Sequence, residues 1–132
     1  MQGEYRLEGK SEYSASLFSK DFFQSSVVQW SSIGSLLINL ASWSVLAYFI
    51  RPVDFPIVLH YNVFFGVDMI GAWWQAYSIP LMGVAVLCIN GTLGLVFFQQ
   101  KERVVAHLLL LASFVVQMAV LVATAAIVVI NY

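Results

Sequence analysis

Three long stretches without a charged residue constrain this chain more than any other feature of its sequence. They cover residues 22–50, 69–100 and 104–132 of a chain of 132 residues. A helix that rises about 1.5 Å per residue needs about 20 residues to cross the roughly 30 Å of hydrocarbon in a bilayer. Because each stretch exceeds that length, the sequence predicts three membrane-spanning helices.

The composition supports a membrane protein over a water-soluble one. Charged residues make up 10% of the chain and hydrophobic residues 61%, whereas about a quarter of the residues of an ordinary soluble domain are charged. The expected fold is therefore an all-α membrane protein with a structured external loop between its first two helices. The predicted segments are a cytoplasmic or interfacial tail at 1–24 and a transmembrane domain at 25–132, with spans at about 27–50, 76–98 and 104–130 and the loop at 51–75.

The distribution of Lys and Arg predicts how the chain is oriented. Three crossings place the N-terminal tail and the 99–103 turn on one side of the membrane, and these two segments hold five of the six basic residues; only Arg51 belongs to the other side. Basic residues in short flanks favour the cytoplasm. We therefore expect a multi-pass protein of the plasma (inner) membrane, with its N-terminus cytoplasmic and its loop and C-terminus external.

Each predicted span carries one carboxamide near its middle: Asn39, Asn90 and Gln117. An amide without a partner in hydrocarbon costs several kcal/mol, so these side chains should face protein. They lie on stripes of small and polar residues spaced three or four apart, which helical periodicity places on one face. Two interpretations stay open, namely hydrogen bonds across a bundle or between subunits, and a polar path for a solute through an oligomer.

The segment between the first two spans is too apolar for a solvated linker. Residues Ile57 to Phe65 have the β-branched and aromatic content of an extended segment. The few polar residues of this loop are embedded among bulky apolar neighbours, which favours a specific hydrogen-bond network. Those polar residues are Asp54, His60, Asn62 and Asp68.

The same loop resembles a known signature. The loop is similar to the loop of a bacterial membrane domain family of unknown function. That domain also occurs in the immunity and signalling membrane proteins that protect a sporulating cell from the killing factor of its siblings. The family pattern is approximately Pro-x-His-aromatic-Asn-x-x-Gly-x-x-Asp after a first span; here the proline lies two positions early and the glycine one late. The resemblance implies an immunity, sensing or accessory role, and it adds to the predicted partner-contact residues, which are Asp54, Pro56, His60, Tyr61, Asn62, Gly66 and Asp68.

The sequence lacks the residues that several classes of protein function usually require. No acid or histidine accompanies the serines deep within a span, so we expect no catalytic site and no enzyme. A metal site usually takes three or more ligands. Only His60, Asp54 and Asp68 lie near one another in the loop, and His107 is expected across the membrane, so no metal site is expected. His107 belongs to the opposite side and is expected to be an interfacial anchor. A net charge of −1 gives no reason to expect nucleic acid as a partner, and no cofactor is expected.

Two functions follow as hypotheses. The first is a small non-enzymatic membrane protein, with an accessory, immunity or sensing role, whose external loop contacts a membrane or envelope protein. The second is an oligomeric component of a small-solute transporter or channel that uses Asn39, Asn90 and Gln117. The lipid bilayer is the expected partner in both, with a partner protein or a homo-oligomer in addition.

Overall fold

The structure, a computed structural model, describes residues 20–132. Three long helices form its frame: α1 (Ser26–Phe49), α2 (Ser78–Gln99) and α3 (Arg103–Asn131). All three are long and apolar enough to cross a membrane, and each helix begins and ends within about two residues of a predicted span. Residues 1–19 of the predicted tail lie outside the described residues.

Two strands stand between the first and second helices. β1 (Ile57–Asn62) and β2 (Gly66–Gly71) pair antiparallel as a hairpin, and a 3₁₀ helix (Trp73–Tyr77) leads from the hairpin into α2. The prediction of an all-α fold is therefore corrected by this small sheet. Its strands contain the β-branched residues that favour pleated backbone, and the extended segment that was expected to reach Phe65 ends instead at Asn62.

The third helix is the centre of the bundle. It packs along both other helices, which contact each other much less. Its buried face repeats every three or four residues, as one helical face does; α1 behaves in the same way, with a buried face of serines, one asparagine and aliphatic residues. Helices that lipid solvates gain little from burying more hydrocarbon, so small side chains that allow close approach suit this interface.

The core has two apolar ends with a polar layer between them. At the end where the hairpin stands, the hairpin end, Leu46, Ile57 and Ile127 belong to one buried cluster. At the opposite end, the turn end, Phe22, Phe98 and Leu110 belong to a second cluster. The outward faces of all three helices remain apolar and exposed, as expected of surfaces that contact lipid.

A short helical segment approaches α1 from outside the bundle. Residues 20–24 are helical, and Ser25 interrupts the helix with an extended backbone. Phe22 is buried against the Phe98 ring, with 5.3 Å between the ring centroids. The segment predicted as interfacial thus contributes a side chain to the core at the turn end.

Candidate functional site

The hairpin is organised by three of the polar residues that the sequence singled out. His60 Nδ1 donates a hydrogen bond to Asp68 Oδ1 over 2.7 Å, and Asn62 Oδ1 accepts one from the N–H of Phe64 over 2.8 Å. Gly66 closes the turn with a φ of +78°, a left-handed backbone that favours glycine. The strand register is irregular on both strands, and this leaves Asp68 without a residue paired opposite it, free to turn toward His60.

The other predicted loop residues do not join this pair. Asp54 and Pro56 lie exposed before β1, and Tyr61 is half-exposed on β1 itself. The His60–Asp68 pair is also largely open to water, so its contribution to stability is of the order of 0–1 kcal/mol. Its role is to fix the shape of the hairpin, because the hydrogen bond joins the two strands.

A residue that the sequence analysis did not single out ties the hairpin to the bundle. The Asn131 amide, at the last turn of α3, accepts a hydrogen bond from Val58 N over 2.8 Å and donates one to Val58 O over 2.6 Å. The Asn131 side chain therefore acts as a neighbouring strand would act at this point of β1. No sequence pattern pointed to this contact, since 73 residues separate the two partners.

The two edges of the hairpin consequently differ. Asn131 satisfies both backbone groups of Val58 at the outer edge of β1, whereas β2 makes no backbone hydrogen bond beyond β1 within residues 20–132. Along β2, the side chains of Val67, Met69 and Ile70 are exposed. An open, apolar strand edge can accept a further strand.

The tip of the hairpin exposes three consecutive apolar side chains. Val63, Phe64 and Phe65 are 84%, 90% and 83% exposed. No charged residue occurs between Asp54 and Asp68. Beneath the hairpin, a groove of about 480 Å³ runs between Met69, Trp74 and Ile127, and His60 lies at its edge.

The carboxamides in the middle of the bundle form a closed arrangement. Asn39 Nδ2 donates to Pro80 O and to Gln117 Oε1, each over 2.9 Å, and Gln117 Nε2 donates to Gly83 O over 2.7 Å. These bonds connect all three helices within one chain, and Asn39 and Gln117 are only 4% and 0% exposed. Gly83 leaves the space that the two amides fill, because a Cβ there would lie 2.7 Å from both.

The third carboxamide makes a separate contact one to two turns away. Asn90 Nδ2 donates to Ser113 Oγ over 3.0 Å and to Leu109 O over 3.3 Å, so that Asn90 joins α2 to α3 but does not reach Asn39. The structure thus brings two of the three predicted carboxamides together and places the third apart.

His107 lies at the turn end, and its contact was not foreseen. His107 Nε2 and Ser25 Oγ are hydrogen-bonded at 3.0 Å. The predicted anchor of α3 is therefore also a link to the break that precedes α1. The spacing of 82 residues between the partners explains why no local pattern could have predicted it.

Comparisons with known proteins do not assign the chain to a group: no family model, no curated protein and no solved structure matches it. The resemblance of the 56–68 loop to the immunity and signalling membrane proteins stays a prediction from its residues.

Proposed function

We propose that this protein is a small, non-enzymatic, multi-pass membrane protein whose hairpin binds an extended segment of a partner protein at the external membrane surface. The observation that carries the proposal is the asymmetry of the hairpin. One edge is closed by Asn131, and the other edge and the tip are open and apolar.

An extended segment is the occupant that the open edge fits best. The free N–H and C=O groups of β2 need hydrogen-bond partners in any interface that excludes water, and an added strand supplies them in a row. The exposed side chains of β2 then provide apolar contact beside that row. We infer a partner segment with apolar or aromatic residues at alternate positions, because alternate side chains of a strand share one face.

The tip adds a second point of contact. Aromatic side chains are enriched where protein interfaces bury most surface, and charged residues are depleted there. Phe64 and Phe65 meet that description, since both are exposed and neither has a charged neighbour in the turn. The rigid turn, tightened by Asn62 and Gly66, lowers the entropy lost when these rings are immobilised.

The side of the membrane follows from the basic residues. Lys20, Lys101 and Arg103 lie at the turn end, and Arg51 is the one basic residue of the described chain at the hairpin end. Basic flanks favour the cytoplasm, so the hairpin faces outward and meets a membrane or envelope protein. The resemblance of the loop favours an immunity, sensing or accessory role for that contact.

The alternative of a solute pathway receives less support. The amides that such a pathway would use already bond to each other and to backbone carbonyls within one chain. Groups that satisfy one another in the core favour a structural role for Asn39 and Gln117.

Site-specific photocrosslinking in native membranes tests the proposal. A photoreactive amino acid replaces Val67 or Ile70 on β2, and a matched control replaces Val115, which is exposed on α3. We expect the two β2 positions to crosslink to one protein, at residues within one continuous segment of it, and the Val115 control not to do so. Replacing Val63, Phe64 and Phe65 together with serine should lower the yield by about tenfold or more, because three apolar contacts are lost.

Other products would contradict this assignment. Crosslinks from β2 to a second copy of this chain would make the hairpin a self-association surface, and crosslinks to lipid alone would make it a membrane anchor. A serine variant that crosslinks as well as the native chain would exclude the tip from the contact.

A further inference from the structure

A second cavity lies at the turn end, on the opposite side of the bundle from the hairpin. It has a volume of about 330 Å³ and is bounded by Asp21, Gln24, Ser25, Phe98, Arg103 and His107. These residues come from the short helical segment, the break before α1, the end of α2 and the first turn of α3. Since charge-free stretches begin or end at these positions, the cavity lies at the level of lipid headgroups.

The cavity holds one acid and one base that do not neutralise each other. Asp21 and Arg103 both line it, and within residues 20–132 neither takes part in a salt bridge. The Arg103 guanidinium lies over the Phe98 ring, with its Cζ 5.2 Å from the ring centroid. A ligand that fits must therefore offer a negative group and a positive group at once.

The basic side of the cavity suits a phosphate. Arg103 and His107 are four residues apart on α3 and so share one face of the helix. The N-cap residue of α3 is Glu102, whose side chain makes no hydrogen bond to the first N–H groups of the helix. Ser25 Oγ, already hydrogen-bonded to His107, adds a hydroxyl on the opposite wall.

The acidic side suits a primary ammonium. Asp21 and Gln24 are three residues apart on the short helical segment and offer carboxylate and amide oxygens as acceptors. A primary ammonium has three N–H donors for such oxygens, whereas the quaternary ammonium of choline has none.

We propose that this cavity binds the phosphoethanolamine headgroup of a phospholipid. Arg103 and the Ser25 hydroxyl donate to its phosphate, while His107 Nε2 donates to Ser25 Oγ and orients that hydroxyl; Asp21 and Gln24 accept from its ammonium. Phe98 forms the apolar floor, and the acyl chains run along the exposed faces of the helices. This site is independent of the hairpin and does not rest on the function proposed above.

Native mass spectrometry of the full chain tests the site. The delipidated protein in detergent is titrated with phosphatidylethanolamine, phosphatidylcholine or phosphatidylglycerol of identical acyl chains, and in separate arms with soluble phosphoethanolamine and inorganic phosphate. We expect phosphatidylethanolamine to bind about tenfold more tightly than the other two lipids, the equivalent of one charge-assisted hydrogen bond. Binding of inorganic phosphate as strong as that of the lipid would overturn the assignment to a headgroup.

Three variants separate specific contacts from general electrostatics. Arg103→Gln should weaken binding of every phospholipid, since each carries a phosphate. Asp21→Asn should remove the preference for phosphatidylethanolamine while binding of phosphatidylglycerol is maintained. Lys101→Gln is the matched control, because it removes a cation two residues from Arg103 but outside the cavity. Equal losses in Lys101→Gln and Arg103→Gln, or an unchanged lipid preference in Asp21→Asn, would overturn the proposal.

Discussion

At the scale of single residues, the middle of the bundle depends on one position without a side chain. Asn39 and Gln117 meet in the space beside Gly83, where three of their four amide N–H groups donate hydrogen bonds and both side chains are buried. A glycine is needed here because of this close approach and not because of backbone conformation, since the helix continues through it. The two side-chain amides and the glycine therefore depend on one another, so that a substitution at one of these positions disturbs the packing of the other two.

Substituting this glycine should be costly, in contrast to another glycine of the same helix. In Gly83→Ala the new methyl would lie 2.7 Å from Asn39 Nδ2 and Gln117 Oε1, so at least one amide must move and lose a buried hydrogen bond. We expect the free energy of unfolding to fall by about 2 kcal/mol or more. Reversible unfolding in mixed micelles, followed by circular dichroism, measures this change.

Gly91→Ala is the matched control for that substitution. A methyl at Gly91 meets no atom within 4 Å, and alanine is the better helix former by up to about 1 kcal/mol. The stability of Gly91→Ala should therefore equal or exceed that of the native protein. Equal losses in the two variants would show that the amide cluster does not determine packing at this level.

At the scale of elements, the side-chain hydrogen bonds that join β1 to the bundle in the described chain all come from Asn131 at the end of α3, beside the apolar packing of Ile57. In Asn131→Leu, Val58 loses the partners of its N–H and C=O, although the size of the side chain is kept. We expect the amides of β1 and β2 to exchange hydrogen at least about tenfold faster, because two hydrogen bonds of about 1 kcal/mol each are removed. Hydrogen exchange resolved by mass spectrometry measures this rate.

Hydrogen exchange of the backbone amides in the helices should stay unchanged, since the side-chain hydrogen bonds of Asn39 and Gln117 that join the helices do not involve Asn131. Val129→Leu, an exposed neighbour on the same helix, provides the control and should leave the hairpin protected. If Asn131→Leu instead loosened α1 and α3 to the same degree as the hairpin, the hairpin would have to be regarded as part of the core.

The elements were predictable from the sequence to very different degrees. The spans were predictable from the absence of charged residues, because in lipid the backbone N–H and C=O groups of a segment can be satisfied by the hydrogen bonds of a helix. The hairpin was visible only as an extended segment, since pairing depends on register and turn geometry that composition does not encode. The contacts of Asn131 and His107 were not predictable, because each joins residues that lie more than 70 positions apart.

The residues of the candidate site also differ in how far the sequence alone could predict them. His60, Asn62, Gly66 and Asp68 were selected as polar or conformationally special residues in an apolar loop, and they lie in the hairpin that the structure forms. The exposure of Val63 to Phe65 was not predicted, because apolar residues in an apolar loop carry no distinguishing signal. Only their exposure, which is a property of the folded chain, separates them from core residues.

At the scale of the whole molecule, the two ends of the bundle have different chemistry. The hairpin end presents an apolar tip and carries Asp54, Asp68 and one basic residue, Arg51, whereas the turn end presents a cavity with both charges and most of the basic residues of the described chain. We predict that a molecule with such ends is inserted in one orientation. The proposed partner contact and the proposed headgroup site then act on opposite sides of the membrane.

Accessibility of single cysteines tests this orientation directly. In a Cys88→Ala background, which removes the native thiol from the lipid-facing side of α2, one variant carries Phe64→Cys at the hairpin tip and a second carries Gln100→Cys at the turn. A membrane-impermeant maleimide applied to intact cells should label the first variant and not the second, and permeabilised cells should give equal labelling of both. We expect this result because basic flanks favour the cytoplasm and because one crossing, α2, separates the two positions. Labelling of both variants in intact cells would contradict three crossings. Labelling of Gln100→Cys alone would show that the protein has the opposite orientation, with the hairpin and its partner in the cytoplasm.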